Sequence, residues 1–133
     1  MGMENELIIG TKNLVSLIPD GTMGELLRPL SSEILLFDTY VAGTSHVKDR
    51  SAFEGIRAGD KLILRREPEN RFDENAILVL DATERKLGYL PEKDNTVFAR
   101  LLDAGKYLYA KIDHVEENEY YLQIRIGIYL VDF

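Results

Sequence analysis

The chain has 133 residues, 45% of them apolar, and a formal net charge of −7. This size and composition predict one domain with a buried core, plus a short appended segment, and exclude a wholly disordered chain. Cysteine is absent and there are only two histidines, which excludes disulfides, a cysteine nucleophile and a thiolate or histidine-rich metal centre. No apolar run reaches the roughly 18 residues of a membrane helix, and no signal peptide is recognisable. We therefore expect a cytoplasmic protein without membrane attachment.

The charge is unevenly distributed along the chain. Residues 1–36 hold 2 basic and 5 acidic side chains, residues 37–111 hold 13 of each, and residues 112–133 hold 1 basic and 5 acidic. The middle of the chain is therefore neutral and holds most of the arginine and lysine. This distribution allows a local electropositive patch there, but it disfavours a broad DNA-binding face that ignores sequence.

The first 32 residues contain the weakest patterns. Residues 12–18 fit either one helical turn or a short strand, and the Pro-Asp-Gly sequence that follows is a strong turn signal. Residues 22–28 fit a short helix with Thr22 as N-cap and Glu25 three positions later. We expect residues 1–32 to form an N-terminal extension that packs on the main domain, residues 33–133. Dimerisation is the alternative role for this extension.

Runs rich in β-branched, aromatic and aliphatic residues predict about six strands in the main domain. In the last run, Leu122, Ile124 and Ile126 alternate with polar or amphipathic residues, which predicts one dry and one wet face. A polar turn at residues 116–119 predicts that the last two strands form a hairpin. The predicted strands are residues 33–41, 61–66, 75–80, 86–90, 107–115 and 120–131.

One segment has a clear helical pattern. In residues 94–104, Val97, Leu101 and Ala104 fall at positions i, i+4 and i+7 with Phe98 and Leu102 beside them, and Gly105 supplies a C-terminal stop. Residues 48–59 suggest a second, shorter helix. Because helices do not alternate regularly with strands, we predict a mainly β fold, namely a small and mostly antiparallel β-barrel of the OB-like class with one inserted helix.

The polar loop at residues 67–74 separates two predicted strands. Pro68 fixes its own φ, while Asn70 and Asp73 can hydrogen-bond the neighbouring backbone, so the loop should be ordered. Phe72 lies in this loop, outside both apolar runs. An aromatic ring beside a carboxylate and a carboxamide on a rigid loop is typical of a binding site. The alternative is that Asn70 and Asp73 only hold the turn while Phe72 folds back over the core.

The same loop resembles a known family. The run REPENRFDENAILV, the following LGYLP, the helix end LLDAG and the upstream VAGTSH together resemble the HIRAN domain over residues 37–112. The resemblance implies an OB-like β-barrel. Family domains are often fused to DNA helicases and repair enzymes, and the characterised ones capture single-stranded DNA ends that carry a free 3′-hydroxyl.

The resemblance implies a role for each matching residue. Asp73 corresponds to the carboxylate that accepts a hydrogen bond from the terminal hydroxyl. Phe72 corresponds to an aromatic residue, usually Tyr, that lies against the terminal bases. Asn70 would reach a base or sugar edge, and Tyr89 would lie on the same face.

Two departures concern the cations of the family site. Where the end-binding members have an arginine and an aromatic residue after the first strand, this chain has Ser45 and His46. His46 could stack, but the phosphate-binding cation is missing. Lys93 follows slightly later than the basic residue expected after LGYLP. Arg66 and Arg71 are either compensating cations or ordinary solvated arginines.

The sequence leaves two functions open and disfavours a third. The first is a non-catalytic module that binds single-stranded DNA ends in DNA repair or processing, with a helicase or nuclease as a protein partner in trans. The second is a protein-interaction or structural barrel without DNA affinity, for which the tyrosines are candidates. An enzyme is disfavoured because the chain has no Walker, HExxH or Gly-x-Ser-x-Gly motif. His114 near two glutamates is better explained by a solvated turn than by a metal site, and no cofactor is expected. The tyrosines in question are Tyr107, Tyr109, Tyr120, Tyr121 and Tyr129.

Overall fold

The structure is a computed structural model that describes residues 32–132. The predicted extension, including the expected helix at residues 22–28, therefore lies outside the described residues except for Ser32. The chain divides into two compact units, and the unit of residues 34–131 contains the helix and all but the terminal residues of the sheet discussed below.

The described residues form one six-stranded antiparallel sheet and one α-helix. Along the sheet the strand order is β1-β6-β5-β2-β3-β4. The mainly β, antiparallel prediction is confirmed, whereas the sheet is open rather than a closed barrel, so that β1 and β4 are its edges. The strands are β1 (Ser32–Tyr40), β2 (Lys61–Arg66), β3 (Ile77–Leu80), β4 (Lys86–Tyr89), β5 (Tyr107–Glu117) and β6 (Leu122–Asp132), and the helix is α1 (Asn95–Asp103).

The two edges approach each other at one point just after β1. Ala42 forms an isolated antiparallel bridge with Tyr89, with N···O distances of 2.7 and 2.9 Å in the two directions. The neighbouring Val41 N–H donates to the carbonyl of Ile124 in β6 at 3.0 Å. Residues 41 and 42 thus connect β6 to β4 and bring the two ends of the sheet together without closing it.

The hydrophobic core lies on the side of the sheet that α1 covers. Ile124 and Ile126 are buried as the alternating pattern predicted, and Ile128 continues the same row. The core cluster consists of Val41, Ala52, Leu62, Leu64, Ile77, Val79, Leu87, Leu90, Phe98, Ala99, Leu108, Ala110, Ile112, Ile124, Ile126 and Ile128.

The helix buries part of the predicted apolar face: Phe98 lies in the core, and Leu101 and Leu102 are partly buried and pack against it. Val97 is 64% exposed and Ala104 is exposed, whereas Phe98, Ala99 and the polar Asn95 are buried. The buried positions 95, 98 and 99 still follow helical spacing. Sequence periodicity predicted the helix and the inward position of Phe98, but it gave no reason to expect a buried asparagine at position 95 or an exposed valine at position 97.

Three boundaries differ from the predictions for local reasons. Residues 48–59 form no α-helix; there are only 3₁₀ turns at Thr44–His46 and Arg50–Phe53, the second capped by the Asp49 carboxylate, which accepts from Ser51 N–H at 3.0 Å. β3 begins at Ile77 rather than residue 75. β5 continues to Glu117, and the turn lies at residues 118–121, where the Asn118 side-chain oxygen accepts from the N–H groups of Tyr120 and Tyr121.

Gly88 in β4 lies directly against the bridge between the sheet edges. A Cβ atom at this position would lie 2.3 Å from the Ala42 carbonyl oxygen and 2.8 Å from a Val41 methyl group. No real Cβ contact is that short, so a side chain at position 88 would push β4 away from residues 41 and 42. The bridge therefore requires glycine here.

We predict that Gly88→Ala destabilises the fold by about 1–3 kcal/mol, the usual cost of forcing an extra methyl into a packed site. Thermal unfolding followed by circular dichroism would measure the effect. Gly55→Ala is the matched control, since a Cβ at Gly55 would meet nothing within 4 Å. Equal melting temperatures for the two variants would show that the bridge can shift at no cost.

Candidate nucleic-acid interface

The polar loop between β2 and β3 is held by its own side chains. The Asn70 side-chain oxygen accepts from the N–H groups of Phe72 at 2.8 Å and Asp73 at 3.0 Å. The Asp73 carboxylate in turn accepts from Asn75 N–H at 2.9 Å. Asn70 and Asp73 therefore do hold the turn, as one of the two interpretations required. The other half of that interpretation is not met, because Phe72 is 91% exposed and does not cover the core.

The Asp73 carboxylate has a second, long-range partner. Its other oxygen accepts from the Nδ2 of Asn95 at 2.7 Å. Asn95 is the first residue of α1 and is only 1% exposed. With one hydrogen bond on each oxygen, the carboxylate is fixed in orientation and keeps further lone pairs available as acceptors.

A second network lies on the other side of the loop and centres on Glu67. One Glu67 carboxylate oxygen accepts from the Tyr89 hydroxyl at 2.7 Å and from the Asn70 amide nitrogen at 2.8 Å. The Lys86 ammonium lies 3.3 Å from the Tyr89 hydroxyl and 4.5 Å from the centre of its ring. Tyr89 and the Asn70 amide therefore belong to one network, which joins the loop to β4.

These contacts shift the acid–base equilibria of both partners. Hydrogen bonds from Asn70 and then Tyr89 hold the pKa of the Glu67 carboxyl below its usual value. Partial burial, followed by the hydrogen bond to Glu67 and the negative charge of that carboxylate, raises the pKa of Tyr89 to about 12. The network thus keeps a neutral phenol beside a carboxylate at neutral pH.

The two networks line a surface groove of about 280 Å³. It brings together four of the predicted site residues, Asn70, Phe72, Asp73 and Tyr89. No lysine or arginine lines it within residues 32–132. Its full lining is Ala42, Gly43, Asn70, Phe72, Asp73, Ala76, Tyr89, Leu90 and Glu92.

The four other predicted residues lie outside this lining. Arg66 has a structural role: its guanidinium donates to Asp103, to the Ala76 carbonyl and to the Glu74 carbonyl. Arg71 is exposed on the loop beside Phe72. Lys93 is exposed, bonded to Asp94 at 3.0 Å and 5.7 Å from the centre of the Tyr40 ring. His46 is exposed at the end of the 3₁₀ turn Thr44–His46.

Sequence reasoning missed two residues of this region. Glu92 lines the groove, although the sequence segment Pro91-Glu92-Lys93 drew attention only to the lysine. Asn95 supports Asp73 from α1, 22 positions away along the chain. Its position at the start of a helix was visible in the sequence, but its contact with the loop was not.

The described residues offer neither a metal centre nor a membrane-spanning helix. Among residues 32–132, no three histidine, aspartate or glutamate side chains are placed to hold a metal ion, and His114 belongs to no such group. Within the same residues no helix is both long and apolar enough to cross a membrane.

Comparison with known families matches this architecture to a named domain. A sequence model of the HIRAN domain matches residues 34–131. The chain belongs to the HIRAN domain family. The match includes the helix, the groove residues and all six strands except the outer ends of β1 and β6, and it extends beyond the stretch on which the resemblance rested.

Solved structures give the same relationship. A protein from Lactobacillus plantarum is similar with a TM-score of 0.71 and 26% identity, over 77% of this chain and 99% of that one. The HIRAN domain of human HLTF is similar with a TM-score of 0.60 and 16% identity, over 75% and 79% of the two chains. The human HLTF HIRAN domain in its DNA-bound conformation gives 0.55 and 17%, over 76% and 80%. At these identities the HLTF structures show a shared fold only. No protein of curated function matches the sequence significantly.

We predict that the contribution of Tyr89 to the stability of this HIRAN domain is lost at alkaline pH. The folded-state pKa of about 12 lies above the unfolded value of about 10. Stabilisation by the neutral phenol is therefore complete below about pH 10 and declines as the pH rises towards 12. Urea unfolding of the parent and Tyr89→Phe at about pH 8 and about pH 11 would measure it.

The difference between the two proteins cancels the titration of groups that do not interact with Tyr89. We expect Tyr89→Phe to be less stable than the parent at the lower pH, and the gap to shrink at the higher one. A gap that stays constant would mean that the hydroxyl hydrogen bond to Glu67 does not favour the protonated phenol.

Proposed function

We propose that this HIRAN domain is a non-catalytic nucleic-acid-binding module whose groove captures the end of a single DNA strand with a free 3′-hydroxyl. The observation that carries the proposal is the pairing of an exposed aromatic ring, Phe72, with a fixed carboxylate, Asp73, in one groove. Each of these two groups fits a different part of a strand end. A role in DNA repair or processing, with a helicase or nuclease partner in trans, belongs to the same proposal.

Phe72 supplies the flat surface for a base. Its ring is 91% exposed on a loop that is otherwise fixed by hydrogen bonds. A solvated ring on an ordered backbone can meet a base without a rearrangement of the loop. Stacking of a base on an aromatic side chain contributes about 1–3 kcal/mol and works for any base, because every base has a π-face.

Asp73 supplies selectivity for the chemical form of the end. Its hydrogen bonds from Asn75 and Asn95 fix the carboxylate and leave lone pairs that can accept from a donor. A hydroxyl is such a donor. A phosphate is an anion with acceptor oxygens only at neutral pH, so it would be repelled by the carboxylate. The site would therefore accept a hydroxyl end and reject a phosphorylated one.

The cations lie beside the groove rather than inside it. Three exposed cations lie within three positions in sequence of a groove residue: Arg71 next to Phe72, Lys86 near Tyr89 and Lys93 next to Glu92. They can meet the phosphates that precede the terminal nucleotide, while the net charge of −7 limits non-specific attraction to the rest of the strand. The human HLTF HIRAN domain has a DNA-bound conformation, which supports DNA as the ligand class.

A second candidate function is a protein-interaction module, and one observation favours it. The edge strand β1 exposes four large apolar side chains, Ile34, Leu35, Leu36 and Phe37, at 37–50% of their surface. An apolar edge strand is a surface to which another chain can add. This function would replace DNA binding if the groove were inactive.

We predict that a single-stranded DNA of about ten nucleotides binds with its 3′-hydroxyl end preferred over a 3′-phosphate end and over a blunt duplex. Fluorescence anisotropy at low salt would measure the three affinities. Phe72→Ala should weaken binding of the preferred strand about tenfold through lost stacking. Phe72→Leu keeps apolar bulk without a ring and should be weakened similarly if stacking is the cause.

Asp73 requires a control that preserves its structural contacts. Asp73→Ala should abolish the preference for the 3′-hydroxyl but also removes the hydrogen bond to Asn75. The double variant Asp73→Asn with Asn95→Asp keeps both the net charge and a carboxylate–amide pair, yet moves the carboxylate out of the groove lining. We expect it to fold and to lose the preference. If the parent binds no strand at low salt, the proposal fails and the interaction at β1 becomes the function to pursue.

A further inference from the structure

A second carboxylate faces the same groove. Glu92 is exposed and lines the groove together with Asp73, and no hydrogen bond or ion pair engages its carboxylate within residues 32–132. It differs in this from Asp73 and from the neighbouring Asp94, whose carboxylate accepts from Thr39 and pairs with Lys93. The groove thus holds one fixed carboxylate and one whose acceptors are all available.

The backbone that carries Glu92 is well fixed. Leu90 N–H donates to the carbonyl of Ile77 at 3.0 Å, which extends the pairing of β4 with β3 by one residue. Pro91 then begins the 3₁₀ turn Glu92–Asp94, closed by Asp94 N–H to the Pro91 carbonyl at 2.9 Å. Asp73 stands just before β3 and Glu92 just after β4. Because β3 and β4 pair antiparallel, these two segments lie at the same end of the strand pair, and both residues line the groove.

The chemistry of this pair points to a ligand with two donors. Both carboxylates repel a phosphate, and no lysine or arginine in the described lining offsets that repulsion. A ribose at the 3′ end of an RNA strand offers two adjacent hydroxyls, and both can donate. A carboxylate that accepts from a ribose hydroxyl is a recurrent means of sugar recognition in nucleotide sites. The exposed ring of Phe72 then meets the base attached to that sugar.

We propose that the groove prefers a terminal ribose to a terminal deoxyribose, with Asp73 accepting from one hydroxyl and Glu92 from the other. This inference rests on the proposed end-binding function and names its ligand as a single strand with a 3′-terminal ribonucleotide. The 2′-hydroxyl is the group by which a protein distinguishes RNA from DNA at a given site. A deoxyribose end would bring Glu92 out of water without giving it a donor, which lowers affinity.

The test varies only the last nucleotide of one labelled strand. Five ends are compared by anisotropy: ribose, 2′-deoxyribose, 2′-O-methylribose, 3′-phosphate and 2′,3′-dideoxyribose. In the parent we expect the ribose end to bind about tenfold more tightly than the deoxyribose end, as for one hydrogen bond to a charged group. The 2′-O-methyl end should lose this gain, since it keeps the ribose oxygen but has no proton to donate.

Two variants assign the effect to Glu92. In Glu92→Ala, the affinities for the ribose and deoxyribose ends should differ by no more than about twofold. Glu69→Ala is the matched control, because it removes one exposed carboxylate from the nearby loop without altering the groove lining, and it should retain the difference. Thermal unfolding of both variants would confirm that they remain folded.

The possible failures are distinguishable. If ribose and deoxyribose ends bind equally and both exceed the 3′-phosphate and dideoxy ends, end capture stands and the ribose inference is overturned. If ribose is preferred but Glu92→Ala leaves the difference intact, the assignment to Glu92 is overturned. If none of the five ends binds, the proposed function itself has failed.

Discussion

The candidate site depends on the backbone pairing between Ala42 and Tyr89. Its two hydrogen bonds, at 2.7 and 2.9 Å, join the chain after the edge strand β1 to the other edge strand, β4. Without this bridge, Gly43 from one edge and Leu90 from the other would not share a groove. The absence of a side chain at Gly88 permits the approach, because a Cβ there would overlap the Ala42 carbonyl. A residue that contributes nothing to binding chemistry therefore determines whether a groove exists.

Two groove residues, Asn70 and Asp73, use their side chains to hold the loop in place. The Asn70 side-chain oxygen accepts from the loop backbone, and its amide nitrogen donates to Glu67. Asp73 is oriented by one hydrogen bond on each carboxylate oxygen. Because the loop is ordered before binding, a ligand would lose little free energy to the ordering of these side chains. The sequence left open whether Asp73 forms the turn or binds a ligand. The two roles are compatible, because the hydrogen bonds that hold the turn also orient the carboxylate towards the groove.

Much of the fold could be predicted because its signals are local. Alternation in β6, the turn before it and the glycine after α1 each involve residues within a few positions of one another. The errors come from contacts that are distant in sequence. Arg66 looked like a free cation, but its guanidinium is held by Asp103, 37 positions away. Val97 looked buried, yet the helix turns Asn95 inward to meet Asp73. Glu92 looked like an ordinary polar residue, and only the pairing of β3 with β4 places it opposite Asp73.

The arrangement of charge explains how an acidic protein could still bind nucleic acid. In a site that grips the phosphate backbone, cations fill the groove and binding strength falls steeply with salt. Here the described cations stand outside a groove lined by two carboxylates, so electrostatic attraction and chemical recognition are separated in space. In the proposed mode of binding, electrostatic attraction would act on the phosphates that precede the end, and the groove would receive only the part of the strand that carries no charge. That part is the terminal nucleoside. The hydroxyls of its sugar are the groups that would donate hydrogen bonds to the two carboxylates. A net charge of −7 is compatible with this mode, because repulsion from the rest of the molecule would disfavour binding along the strand and leave the end as the favoured place to bind.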